Sequence, residues 1–109
     1  MLTKQLSALC DTATEAHSQI QKEFKDINPI VGVNQNMRKN GIATDVMTID
    51  CLKTNKRIIL ILNDQQPDII NYQFCFRNKD PEGEYLKILY SEVNVQKLFA
   101  WMRDYFMIH

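Results

Sequence analysis

The segment from Ile59 to Phe74 has the sequence ILILNDQQPDIINYQF, and it decides the fold of this chain. Residues 58–62 are apolar at every position, which is typical of a central strand with both faces covered. From Ile70 onward apolar and polar residues alternate, which predicts a second strand with one aromatic face. Between the two lies a polar hexad, residues 63–68, rich in the Asn, Asp and Pro that favour turns. The segment therefore predicts a β-hairpin.

The hexad also contains two carboxylates, Asp64 and Asp68, which allow a different interpretation. Such a pair can share a metal ion or take part in catalysis. However, hard cations usually take six or more oxygen ligands or bind substrate phosphates, and the hexad lacks the glycine-punctuated spacing of a calcium loop. A turn is therefore the favoured interpretation, and a metal or catalytic loop is the alternative.

Helical periodicity appears at both ends of the chain. Apolar residues recur at spacings of four and three over residues 3–27, which predicts an amphipathic helix with Thr3 as its N-cap. Asn28-Pro29 is expected to end it, because a residue before proline avoids helical geometry. A second helix is predicted near the C-terminus, with Asn94 or Ser91 as N-cap. Its apolar stripe consists of Val95, Leu98, Phe99, Met102, Tyr105 and Phe106.

The other middle segments have the patterns of strands and turns. Residues 30–37 predict a weak edge strand, because Gly32 and two asparagines interrupt the β-forming residues. Asn40-Gly41 predicts a two-residue type I′ hairpin turn, and Ile42 to Leu52 then alternates as a strand. The last strand is predicted from Tyr85 to Tyr90, after a loop rich in turn residues.

These elements predict an α+β fold. We expect one domain over residues 1–109, with an N-terminal helix, a four- to five-stranded antiparallel meander and a C-terminal helix. Both helices should pack on one face of the sheet. In such a meander Arg38 and Lys39 would lie at the same end of the sheet as Asp64 and Asp68, whereas Arg57 would share the other end with residues 80–84. Charges of opposite sign at both ends predict mutual compensation.

Composition excludes several classes of function. At 109 residues, 45% of them hydrophobic, the chain is large enough to bury one core. Its 13 basic residues balance 13 acidic ones, so neither nucleic acid nor an anionic membrane is indicated as a partner. The sequence has no span of roughly 20 apolar residues and begins without a signal-peptide pattern. Because three cysteines (Cys10, Cys51 and Cys75) also fit reduced thiols, a cytoplasmic protein is expected.

Signals for catalysis are weak. Cys10 and His17 lie two helical turns apart, about 10 Å between Cα atoms, which is too far for a nucleophilic pair. The chain contains neither a phosphate-binding glycine loop nor a nucleophile elbow, and no cofactor or metal is expected. An enzyme is therefore the third hypothesis. It requires His17, or the carboxylates of the hexad, to converge with other polar groups in a cleft.

Surplus apolar surface is the main functional signal. Two helices on one face would leave the second face of residues 58–62 uncovered, and contiguous exposed apolar patches mark interaction surfaces. Pairing with a second copy in a homodimer is the commonest way for a protein to cover such a patch. We therefore expect a non-catalytic interaction module that self-associates or binds another protein. The residues predicted for that surface are Ile59, Ile61, Trp101, Tyr105 and Ile108.

A small-molecule binder is the second hypothesis. An apolar ligand could lie between the sheet and its helices, in a cavity with a few inward polar groups. The aromatic residues predicted to line this cavity are Tyr72, Phe74, Phe76 and Phe99.

Overall fold

Five antiparallel strands form one sheet in chain order, so each strand pairs with its neighbour in the sequence. The computed structural model describes residues 3–107. The strands are β1 (Ile30–Asn34), β2 (Thr44–Cys51), β3 (Lys56–Asn63), β4 (Ile69–Phe76) and β5 (Leu86–Leu89). The predicted meander is confirmed, with the apolar strand β3 at its centre.

Two long helices, α1 (Lys4–Glu23) and α3 (Val95–Phe106), cover one face of the sheet, and a short helix, α2 (Asn36–Lys39), joins β1 to β2. The predicted N-cap of α1 is confirmed, since the side-chain oxygen of Thr3 accepts a hydrogen bond from the Leu6 amide at 3.1 Å. Asn94 caps α3 in the same way by accepting from the Lys97 amide at 2.9 Å. Each cap satisfies a backbone donor that the first helical turn leaves unpaired.

Helix α1 ends earlier than the sequence predicts. Phe24 takes an extended conformation, and its ring lies 6.2 Å from that of Phe99 on α3. The amide of Ile27 then donates to the Phe24 carbonyl at 3.0 Å, and the Ile27 side chain is buried. Packing of these two apolar side chains therefore turns the chain before Asn28-Pro29 is reached.

The predicted type I′ turn at Asn40-Gly41 is wrong. That turn needs positive φ at both residues, whereas Asn40 has φ −98° and only Gly41 has positive φ, at 88°. β1 and β2 separate at the Asn34–Val46 pair, and α2 lies in the connection between them. Gly41 thus follows the C-cap of a helix, the position where a left-handed glycine commonly ends one.

The core lies between the helices and one face of the sheet. Alternate residues of β2, β3 and β4 point into it, and five of them are fully buried: Met47, Ile49, Ile58, Leu60 and Ile70. Residues from α1 and α3 close the core from above, including Leu6, Leu9, Ile20, Leu98 and Met102. No helix within residues 3–107 covers the opposite face, and Ile59 and Ile61 remain partly exposed there. The described part of the chain therefore leaves the second face of β3 partly open.

Candidate interaction surfaces

The polar hexad forms the β3–β4 turn, as the sequence predicts. The side chain of Asn63 accepts a hydrogen bond from the Gln65 amide at 2.9 Å, and its carbonyl accepts from the Gln66 amide at the same distance. The Asp68 carbonyl accepts from the Tyr90 amide at 2.7 Å. The polar groups of the hexad thus serve the backbone of the turn and its junction with the end of β5.

The Asp64 carboxylate has a protein partner, the guanidinium of Arg38. Arg38 binds Asp64 through two hydrogen bonds of 2.8 and 3.0 Å, and it binds Asp45 through two more of 2.9 Å each. Arg38 lowers the pKa of Asp64 below its ordinary value, chiefly through these hydrogen bonds. The predicted compensation at this end of the sheet is confirmed for Arg38 and Asp64. The buried Asp45, which is 1% exposed, is a further partner that the sequence pattern did not identify.

A second ion cluster lies at the opposite end, on the face without helices. Asp50 accepts hydrogen bonds of 2.7 and 2.9 Å from Arg57, its partner in the β2–β3 register, and one of 3.3 Å from Arg77. The predicted partners of Arg57 were the acidic residues 80–84, whereas the contact that forms is with Asp50. The reason is register, because residues paired across two antiparallel strands place their side chains side by side.

Metal-binding side chains, the cysteine thiols and His17 are the groups that bear on the enzyme hypothesis. Within residues 3–107, no three His, Cys, Asp or Glu side chains are grouped so that they could hold a metal ion. Burial raises the pKa of the Cys75 thiol, and both burial and Asp11 raise that of Cys10, so neither thiol is activated as a nucleophile. The ring nitrogen Nε2 of His17 is buried without a hydrogen-bond partner.

An aromatic cluster joins α3 to β4, and we define it as Tyr72, Phe74, Trp101 and Tyr105. Trp101 stacks on Tyr72 with ring centroids 4.5 Å apart, and Phe74 meets Trp101 edge-to-face at 5.6 Å. The Tyr105 ring lies 5.1 Å from Phe74, and its hydroxyl donates to the Cys75 carbonyl at 2.7 Å. All four rings are half-buried.

The four residues predicted to line a ligand cavity are separated in the structure. Tyr72 and Phe74 belong to the aromatic cluster, whereas Phe99 packs on Phe24 beside α1. Phe76, at the end of β4, is 45% exposed and carries the Lys79 ammonium 6.0 Å above its ring. A cleft of about 280 Å³ does open beside the cluster, lined by Phe74, Trp101, Asp104 and Tyr105.

The helix-free face of the sheet is the second candidate surface. At its centre Ile59 lies between Thr48 and Gln73, and on the next row Ile61 lies between Val46 and Asn71. Ile69 and Leu89 extend the apolar area toward β5, where Leu89 is 50% exposed. The remaining side chains around this area are mainly polar: Asn34, Thr44, Asp50, Arg57, Asn63 and Lys87.

The structure divides the predicted interaction surface between these two places. Ile59 and Ile61 lie on the helix-free face, whereas Trp101 and Tyr105 lie in the aromatic cluster beneath α3, on the other side of the sheet. Ile108 lies outside the described residues. No helix within residues 3–107 is long and apolar enough to cross a membrane.

Comparison with known proteins provides no relative. No protein family matches the chain, and no curated protein or solved structure shows significant similarity to it.

Proposed function

We propose that this protein is a non-catalytic interaction module that self-associates, with the helix-free faces of two copies packed against each other. The main support for the proposal is the apolar centre of that face. There Ile61 lies beside Val46, Ile59 is next on the same face of β3, and no helix within residues 3–107 covers them. A patch of this kind gains free energy when a partner removes it from water.

The layout of the face supports this proposal. Protein interfaces usually have an apolar core depleted of charge and a polar rim. Here the centre has Val46, Ile59 and Ile61, and the ion cluster of Asp50 is confined to one end. The carbonyl of Glu82 accepts a hydrogen bond of 2.7 Å from Gln73, which is 8% exposed, so the β4–β5 loop covers the β4 side of the face and leaves the apolar centre open.

Charge and size favour a second copy as the occupant. The chain has no net charge, so two copies do not repel each other as strongly charged proteins do. With strands up to eight residues long, the whole face measures roughly 20 by 25 Å, or about 500 Å² per copy. Because the β4–β5 loop covers the part over Gln73, two copies bury at most roughly 1,000 Å² in total, which is the lower limit for a specific interface. We therefore expect a dimer that dissociates in the micromolar range.

A reducing compartment suits this protein. Cys10, Cys51 and Cys75 are all free thiols, and thiols persist in the cytoplasm, where disulfides are rare. We therefore propose a cytoplasmic location.

The test is the mass in solution, measured by light scattering from the low micromolar to the millimolar range. The wild-type chain should change from monomer to dimer over this range. Ile61→Asp places a charge at the centre of the face, and Leu89→Lys places one at an exposed position on it. Both variants should remain monomeric at concentrations where the wild type is dimeric.

A matched control is Ile42→Lys, because Ile42 is 55% exposed but lies in the loop after α2, outside the face. It should dimerise like the wild type. A wild-type chain that stays monomeric at every concentration overturns the proposal. A control that dissociates as readily as Leu89→Lys would show that the interface lies elsewhere.

A further inference from the structure

The cleft beside the aromatic cluster has an unusual combination of walls. It has a volume of about 280 Å³, and three aromatic residues and one acidic residue line it: Phe74, Trp101, Tyr105 and Asp104. Aromatic rings present a negative face, so several of them around one space attract a cation, and a carboxylate adds direct charge. This composition suits a cation with an apolar surface better than it suits a neutral apolar molecule.

The walls are held in place before any ligand arrives. Trp101 stacks on Tyr72 with centroids 4.5 Å apart, and the Tyr105 hydroxyl donates to the Cys75 carbonyl at 2.7 Å. Phe74 belongs to β4, and its ring stands at 87° to that of Trp101. Because contacts within the chain position the rings, binding would cost little conformational entropy.

A native cation already uses this cluster. The ammonium of Lys56 lies 5.0 Å from the centroid of the Tyr105 ring and donates a hydrogen bond of 2.9 Å to the Tyr105 carbonyl. The Tyr105 ring therefore accepts an ammonium group in the folded chain. Asp104 forms its ion pair with Arg103, at 2.9 Å, and its side chain is 67% exposed at the rim of the cleft.

We propose that this cleft binds a methylated ammonium group, with Phe74, Trp101 and Tyr105 as the walls of an aromatic cage and Asp104 as its acidic rim. Methylated ammonium groups are bulky and weakly hydrated, so aromatic walls compete with water for them better than for a primary ammonium. The group can belong to a small choline-like molecule or to a methylated lysine side chain. The site is independent of the helix-free face, which lies on the other side of the sheet.

Tryptophan fluorescence tests the proposal directly, because Trp101 is the one tryptophan of the chain. Choline is titrated against 3,3-dimethylbutan-1-ol, its uncharged isostere, at constant ionic strength. Choline should give a saturable change, and the uncharged isostere should bind at least about tenfold more weakly. A second pair, acetylated trimethyllysine amide and acetylated lysine amide, is titrated in the same way. The tighter of the two methylated ligands identifies the source of the group.

Two variants complete the test. Asp104→Asn removes the carboxylate charge from an exposed position and should weaken choline binding about threefold. Asp11→Asn removes a charge from an exposed position on α1 and should leave binding unchanged. The proposal is overturned if neither methylated ligand gives a saturable change. It is also overturned if the uncharged isostere binds as tightly as choline, or if the two Asp variants bind choline equally.

Discussion

The indole ring of Trp101 lies on the phenol ring of Tyr72, with centroids 4.5 Å apart and planes inclined by 24°. This stack fastens the middle of α3 to β4, because Trp101 belongs to the helix and Tyr72 to the strand. The contact also explains why Trp101, which lies off the centre of the apolar stripe of α3, is half-buried.

Removing this ring should weaken the docking of α3. We expect Trp101→Ala to lower the free energy of unfolding by about 2 kcal/mol, because the variant loses both ring burial and the aromatic stack. Trp101→Phe keeps a ring and should cost about half as much. Urea denaturation at low protein concentration measures both changes. Gln96→Ala, at an exposed position of the same helix, is the control, and an equal loss there would contradict the explanation.

Neighbouring residues of β3 should differ sharply in their effects on stability. Leu60 is fully buried in the core, so Leu60→Ala should lower the free energy of unfolding by about 3 kcal/mol. Ile59 points to the helix-free face and is partly exposed, so Ile59→Ala should cost about 1 kcal/mol in the monomer. Urea denaturation below the association range measures both. Equal losses at the two positions would mean that the helix-free face is already covered in the monomer.

The Arg38–Asp64 pair should make the free energy of unfolding depend on pH in the acidic range. The folded chain holds the pKa of Asp64 below its ordinary value, chiefly through the hydrogen bonds from Arg38. The ionised Asp64 therefore stabilises the fold fully at a pH above the pKa that Asp64 has in the unfolded chain. This stabilisation is lost as the pH falls toward the lower pKa that Asp64 has in the folded chain. Asp64→Asn should be less stable than the wild type at pH 7 and should lose less stability below about pH 5.

Thermal unfolding between neutral and acidic pH measures this effect. The matched control is Asp11→Asn, which removes an exposed aspartate of α1. Its stability should follow the wild-type pH dependence. If Asp64→Asn also follows it unchanged, the Arg38 pair contributes nothing measurable to folding.

The N-cap residue of α3 should contribute to the stability of the fold although its side chain is exposed. Asn94 accepts a hydrogen bond of 2.9 Å from the Lys97 amide, so Asn94→Ala should cost about 1 kcal/mol. Asn94→Asp keeps an acceptor and adds a favourable charge at the helix N-terminus, so it should match or exceed wild-type stability. Urea denaturation compares the two. A loss of the same size in both variants would contradict the capping role.

Local patterns in the sequence determined the two long helices, the strands and their order. The two long helices, the N-cap Thr3, the central apolar strand and the turn at residues 63–68 follow from periodicity and from residues that satisfy or break backbone hydrogen bonds, whereas the sequence left the second N-cap open between Ser91 and Asn94. These preferences act over a few residues, so they can be predicted without knowledge of the rest of the chain. The failure at Asn40-Gly41 has the same origin, because a left-handed glycine suits both a hairpin and a helix end.

Only the tertiary structure decided which side chains meet. Periodicity places Trp101 and Ile59 each on an apolar face, but the packing of both helices on one side of the sheet puts them on opposite sides of it. Register alone brings Asp50 beside Arg57, and a helix that the sequence did not predict carries Arg38 to Asp45. Such contacts join residues far apart in the chain, and they depend on the strand register and helix position that the whole core selects.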